Sequence, residues 1–296
     1  MLSSPHPREA WKMSQEPNNK LDQGASSPPI LIDAHVHLYD CFDRTAFFDA
    51  AVKNFRHAAQ ALGLPGDTPG CLMLAETARD HAFESLISQR ELDGGRWRFS
   101  PAGEGRSLVA SLDGEDVLTV IAGRQVVTRE GLEVLALCCN EQFTDGLAVE
   151  QTIEKVIEAD GLAVLPCGVG KWSGARGKVI DGLLSGPFAN KLMLGDNAGR
   201  LAMAGEPKQF AEARRRGIWV LPGTDPLPFP GQASRVGRFG LVLDGGIDKA
   251  KPTASIKTRL EASETPPATY GRAERLFTFL GLQVGMQLRK RLRRRS

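Results

Sequence analysis

The feature that most constrains this chain is an alternation of short apolar strands with amphipathic helices, in which strand after strand carries a polar or reactive group at its end. ILIDAHVHL at 30–38 is a β-branched apolar run and reads as a buried strand. A helix follows, capped by Asp43 and running to Leu62, with Phe47, Phe48, Ala51, Val52, Phe55 and Ala59 on one face. Gly63 and Pro65 stop it. CLMLAE at 71–76 reads as a second strand, and 82–92 as a second helix. After Gly146 the rhythm returns as helix 147–159, strand 162–167, helix 176–184, strand 191–196, helix 206–216 and strand 218–225. Such alternation predicts a parallel sheet, open or closed into a barrel. The strand-end groups are His35 and His37, Glu76, Glu133, Cys167, Asp196 and Asp225. In parallel α/β folds the strand C-termini share one face, and that face holds the site.

The middle of the chain breaks this pattern. From Trp97 to Leu137 the short strands RWRFS, SLVASL, DVLTVIAG, RQVVT and LEVLALC are separated by Gly or Asp turns. Their alternation, with a turn at Gly114-Glu115, predicts a β-hairpin insertion. The expected fold is therefore a distorted (β/α)7-8 TIM-like barrel over 30–244. A leader at 1–29, rich in Ser, Pro, Asn, Gln and charge, is expected to be disordered. A polar linker with Pro266-Pro267 is expected over 245–269, and a basic C-terminal helix over 270–296.

Charge and cysteine usage narrow the function classes. Residues 289–296, RKRLRRRS, carry six positive charges; without them the net +2 of the chain becomes −4. A mildly acidic body is not expected to bind nucleic acid over a broad face, so no specific nucleic-acid partner is expected. The apolar residues before the basic run, among them Phe277, Phe279 and Leu282, fit a helix docked on the barrel or one lying on an anionic membrane surface, and the arginines also fit nonspecific nucleic-acid contact. Five scattered cysteines and no export signal point to a cytoplasmic protein, membrane-peripheral if the tail engages lipid. No apolar run reaches the roughly 18–20 residues of a membrane span.

His35 and His37, at i and i+2 on one strand, send both imidazoles to the same side, where they can chelate a divalent cation or, without one, stand as core histidines with separate hydrogen-bond partners. Glu133, in an apolar strand, and Glu76, at a strand end, are costly to bury unless paired, hydrogen-bonded or metal-bound. Each fits a metal ligand or a salt-bridge partner of an arginine such as Arg79 or Arg129. Asp225, in WVLPGTDPLPFPG, fits a metal ligand that also takes a proton from metal-bound water, or a turn-capping residue. Asp196 fits a helix cap or Asx-turn better than a site. The Gly-rich stretch after Cys167 carries Lys171, Arg176 and Lys178, cations able to face an anion.

Together, HxH after an apolar strand, EGLEVLAL with Glu133, LAVLPCG, and GTD at the last strand resemble the polymerase and histidinol phosphatase (PHP) domain. They are similar also to the wider amidohydrolase-type metal-dependent hydrolases. The resemblance spans about 30–230. It implies a distorted β/α barrel with His35, His37, Glu133 and Asp225 as metal ligands and a phosphoester substrate, while Glu76, a candidate ligand on its own chemistry, replaces the usual Asp-His after the second strand. Departures are visible: Cys167 stands where PHP chains usually place a histidine, and Asp225-Pro226-Leu227 replaces Asp-x-His. One ion, or a reduced pair, of Mn, Zn or Fe is what the remaining ligands support.

The function expected is thus a metal-dependent hydrolase that activates water, with Asp225 and Lys171 as catalytic residues. Its substrate would be a small anionic molecule, neutralised by Lys171, Arg176 or Arg200. The alternative is a degenerate barrel serving as a binding or membrane-peripheral scaffold.

Overall fold

The computed structural model describes residues 28–168, 170–197, 206–263 and 265–271. The expected leader up to residue 27, Arg200 and the basic tail from 272 onward lie outside them.

Strand β1 (Ile30–Val36) is buried along its whole length, as its apolar run requires. Its two faces serve different cores: Leu31 and Val36 meet one cluster, Ile30, Ile32 and Ala34 the other. Helix α1 (Arg44–Ala61) begins where the Asp43 carboxylate accepts from the Ala46 N–H at 2.8 Å. It ends at Leu62, after which Gly63 turns left-handed at φ 71°. The predicted apolar face is the buried one, and burying Phe47, Phe48 and Phe55 contributes about 1.5–3 kcal/mol each.

Next come β2 (Gly70–Leu74), α2 (Ala82–Gln89), the short β3 (Glu91–Leu92), β4 (Trp97–Pro101), β5 (Ser107–Leu112) and β6 (Glu115–Ile121). The β4–β5–β6 run is the expected antiparallel insertion. Its tight turn is Asp113-Gly114, both at positive φ (52° and 89°), one residue earlier than the sequence suggested. Phe48 of α1 fixes the insertion against the body, with ring centroids 5.4 Å from Trp97 and 4.9 Å from Phe99.

The second half comprises β7 (Gly123–Val127), β8 (Glu133–Leu137), α3 (Val149–Glu158), β9 (Leu162–Cys167), α4 (Gly174–Ser185), β10 (Met193–Asn197), α5 (Lys208–Arg215) and β11 (Val220–Gly223). The chain then adds β12 (Gly240–Leu243), α6 (Pro252–Ala262) and β13 (Ala268–Tyr270). Two sheets result. One has the order β13-β12-β1-β2-β6-β5-β4-β3, the other β11-β10-β9-β8-β7. Their inner faces bury a common core that includes Ile32, Met73, Leu135, Val164 and Leu221. Helices α3, α4 and α5 cover the second sheet through Ile153, Val156, Ile180, Leu184 and Phe210.

The structure departs from the expectations in the pairing of β9 and in the segment read as a linker, and shows the barrel strands as two sheets. The antiparallel β7–β8 pair belongs to the hairpins expected over 97–137, but β9 also runs antiparallel to β8, where the strand and helix rhythm predicts a parallel neighbour. No single ladder closes a barrel among the described residues; the sheets meet instead at two seams. At one, Asp225 N–H donates to His35 O at 2.8 Å. At the other, Glu76 N–H donates to Gly123 O at 3.0 Å and Gln125 N–H to Glu76 O at 2.8 Å. Each seam depends on a glycine: a Cβ on Gly223 would lie 2.4 Å from His35 N, and one on Gly123 2.3 Å from Leu74 O. Finally, the segment read as a linker contains α6, which sends Ile256 and Leu260 into the core between the sheets. Its polar remainder hid those two anchors. No described helix is long and apolar enough to cross a membrane.

Candidate metal centre

The β1–β11 seam is where three of the sequence-selected residues converge. Strand alternation brings His35 and His37 to one side, with Nε2 atoms 3.1 Å apart. Asp225, just past β11, places Oδ1 3.6 Å from His35 Nε2 and 3.4 Å from His37 Nε2. Both histidines are buried, and the Asp225 side chain is 18% exposed. Among the described residues this is the one group of three or more His, Cys, Asp or Glu side chains whose ligand atoms all lie within 4.8 Å of one another.

Local structure explains the convergence. Buried Asp33, two residues before His35, accepts from Thr224 N–H at 2.8 Å, Thr224 Oγ1–H at 2.6 Å, Gly237 N–H at 2.9 Å and His35 N–H at 3.4 Å. These bonds pin Thr224, and Asp225 after it, against β1. Asp225 takes φ 43°, in the left-handed region that aspartate tolerates better than most residues. Its Oδ2 accepts from Asn197 Nδ2 at 2.7 Å, which leaves Oδ1 toward the imidazoles. The His37 ring stacks on Tyr39 with centroids 5.1 Å apart.

Electrostatics suit a cation. Burial is the main influence on His35 and brings its pKa down to about 4, so the imidazole is neutral and offers a lone pair at neutral pH. For Asp225, burial alone would raise the carboxyl. Interactions with His35, His37 and Lys171 outweigh it and hold the group well below the usual carboxylate range.

Three donors about 2.1 Å from a shared ion stand about 3.0 Å apart at octahedral right angles and about 3.4 Å apart in a tetrahedron. The observed 3.1, 3.4 and 3.6 Å fit that spacing. Neither Nδ1 atom has a protein partner, so no hydrogen bond on the far side of either ring fixes its tautomer.

The other expected ligands, Glu76 and Glu133, are engaged by cations of the chain. Glu76 is buried, but Arg124 pairs with it at 2.9 Å and the Phe83 N–H of α2 donates to it at 2.7 Å. Burial raises its pKa, and these two partners oppose that rise. It closes the β2–β7 seam. Its arginine is Arg124, not Arg79 or Arg129. Glu133 is 20% exposed and pairs with Lys171 Nζ outside the three-residue cluster. Glu133 opens β8 rather than ending a strand; the antiparallel course of β8 is what brings it to the same end of the sheet as Cys167. Arg176 donates to Gly170 O at 3.1 Å and Gly131 O at 3.4 Å, stapling the loop it was expected to lend to an anion.

Three contributors were not assigned roles from sequence. Asn197 sits beside the singled-out Asp196, and strand alternation gives the contact with Asp225 to the asparagine. Thr224 and Tyr39 flank selected residues without a signal of their own.

Comparison with known proteins gives fold likeness and little more. The chain matches no protein-family model. It is 42% identical over 55 residues to an uncharacterized protein of Methanocaldococcus jannaschii, a match spanning 19% of this chain and 32% of that one. In structure it is similar to PsfC from Pseudomonas syringae PB-5123, with TM-score 0.50, 14% identity, and coverage of 90% of this chain and 99% of that one. Weaker likenesses include a two-domain protein from Bacteroides vulgatus, described as containing a predicted PHP-like metal-dependent phosphoesterase (TM-score 0.43, 13% identity, 82% of this chain and 65% of that one). They also include an endonuclease Q bound to a 27-mer duplex with an abasic lesion at its active site (TM-score 0.44, 15% identity, 78% and 57%).

Proposed function

We propose that the chain is a metal-dependent hydrolase of the PHP type that acts on a phosphoester or a similar small anion. In this reading β1, β2 and β7 to β11 form a distorted barrel, and the site lies where their functional ends meet. The observation that carries it is the spacing of the three donor atoms, 3.1–3.6 Å, about one shared point. A divalent ion held there, Mn, Zn or Fe, would act as a Lewis acid and bring a bound water to a pKa of about 7.

The chain's own residues divide the remaining work. His35, kept neutral by burial, and His37 would hold the ion, and the Asp225 carboxylate would supply the negative ligand. Asn197 keeps that carboxylate turned, and Asp33 holds its loop in register. Asp225 suits ligation better than the proton-accepting role also expected of it, because a carboxylate held below its usual range is a weak base. Lys171, paired with Glu133, stands at the same end of the sheet. A nucleic-acid phosphodiester is the competing substrate suggested by the endonuclease likeness, against the sequence-based expectation of no nucleic-acid partner.

Chelator-stripped protein reloaded with Mn, Zn or Fe should be assayed on p-nitrophenyl phosphate, bis-p-nitrophenyl phosphate, an anilide, and duplex DNA with an abasic site. Metal-dependent phosphoester turnover, reduced at least about 100-fold by His37→Ala, is expected. Absence of phosphoester turnover with all three metals contradicts the proposal and favours the scaffold alternative; turnover of the anilide alone favours amidohydrolase-like action.

A further inference from the structure

The Lys171–Glu133 pair remains after the cluster is accounted for. The resemblance makes Glu133 a metal ligand, yet its carboxylate is bonded to an ammonium. The loop is shaped for that contact. Lys171 N–H donates to Gly168 O at 3.0 Å, closing a turn in which Gly170 is left-handed at φ 68°. The lysine stem then folds back over Gly168, where a Cβ would stand 2.6 Å from Lys171 Cδ. A side chain at 168 would therefore displace the stem. Glu133 lies two residues before Leu135, on the face of β8 turned to the core between the sheets, at the end of that sheet where β9 and β10 finish with Cys167 and Asn197.

We propose that Lys171 is a positioning residue that withholds Glu133 from the ion, so that three side chains rather than four hold it and a coordination position stays open for water or substrate. The inference rests on the metal reading of His35, His37 and Asp225. It departs from the resemblance, which would place Glu133 on the metal. The chemistry is coordinative only: an oxygen lone pair that would bond the ion is engaged by an ammonium proton instead. Open positions separate catalytic metal sites from closed structural ones.

The test is a double-mutant cycle read by metal binding. Mn2+ is titrated calorimetrically into the chelator-stripped full chain as wild type, Lys171→Met, Glu133→Gln, Lys171→Met/Glu133→Gln and His35→Ala, with folding checked by circular dichroism. Lys171→Met is expected to bind Mn2+ at least tenfold more tightly, and adding Glu133→Gln should cancel that gain. Glu133→Gln alone should cost far less affinity than His35→Ala. With Co2+ as probe, the visible absorption of Lys171→Met should weaken as a further oxygen ligand joins; a change of local charge alone would leave the band shape in place. Gly168→Ala, which keeps the charge but displaces the stem, is a second route and should move affinity and spectrum in the same direction.

Unchanged affinity and spectrum in both Lys171→Met and Gly168→Ala would overturn the inference, as would a Glu133→Gln loss equal to that of His35→Ala. Wild-type protein that binds neither Mn2+ nor Co2+ would overturn the metal reading itself, an outcome visible before any variant is made.

Discussion

Asp33 offers the sharpest test of how the site is held. Its carboxylate is fully buried, and although four hydrogen bonds favour the charged form, burial dominates and raises its pKa from the ordinary 3.8 to about 6. Between those values the folded chain binds more protons than the unfolded chain, so stability falls as pH rises. The stabilisation is fully present below 3.8 and lost once pH passes about 6. At 1.36 kcal/mol per pH unit the loss is about 3 kcal/mol. Asp33→Asn removes the titration. It also replaces one acceptor oxygen with an NH2 group facing at least one of the Thr224, Gly237 or His35 N–H groups, a pH-independent cost of about 1–3 kcal/mol. Urea unfolding with chelator present, followed by circular dichroism from about pH 4 to pH 7, isolates the effect as the difference between wild type and variant. Wild type should be the more stable at the acid end, and its advantage should shrink by about 2–2.5 kcal/mol between pH 4 and neutrality. A difference that stays constant with pH, or grows, would refute the reasoning.

Three further perturbations address the seams and the corrected linker. Gly223→Ala would drive a Cβ to 2.4 Å from the His35 backbone nitrogen, which cannot yield; a loss of about 3 kcal/mol or more is expected in chemical unfolding. Arg124→Met leaves Glu76 buried without its partner and should cost about 3–5 kcal/mol, much of it recovered in Arg124→Met/Glu76→Gln. Ile256→Ala should cost about 2–5 kcal/mol if α6 is docked as described, whereas an undocked segment would leave the melting temperature unchanged.

Local pattern made the strands, α1 and the hairpin insertion legible, because apolar periodicity and caps are written in consecutive residues. Asp43, the Phe47–Phe48–Phe55 face and the i, i+2 histidines needed no tertiary information. The antiparallel hairpins were legible, but the antiparallel pairing of β9 with β8 was not. Glu133 begins β8, and only the antiparallel course of that strand brings it to the functional end. Pairing choices between distant acids and cations were equally hidden: Glu76 and Glu133 were recognisable as buried or half-buried charges, but composition does not say that Arg124 and Lys171 would satisfy them. Asn197 was overlooked because Asp196 beside it is the more familiar ligand type, and a strand's alternation allows only one of two neighbours to face Asp225. Helix α6 escaped because two buried side chains in a polar stretch make a weak periodic signal.

The central claim is that His35, His37 and Asp225 share one cation. Anomalous diffraction from crystals grown with Mn2+ tests it directly. The expected result is a single strong peak at bonding distance, about 2.0–2.2 Å, from both Nε2 atoms and Asp225 Oδ1, absent in His35→Ala/His37→Ala. A map with no peak there, or with manganese held only by other residues, would contradict it.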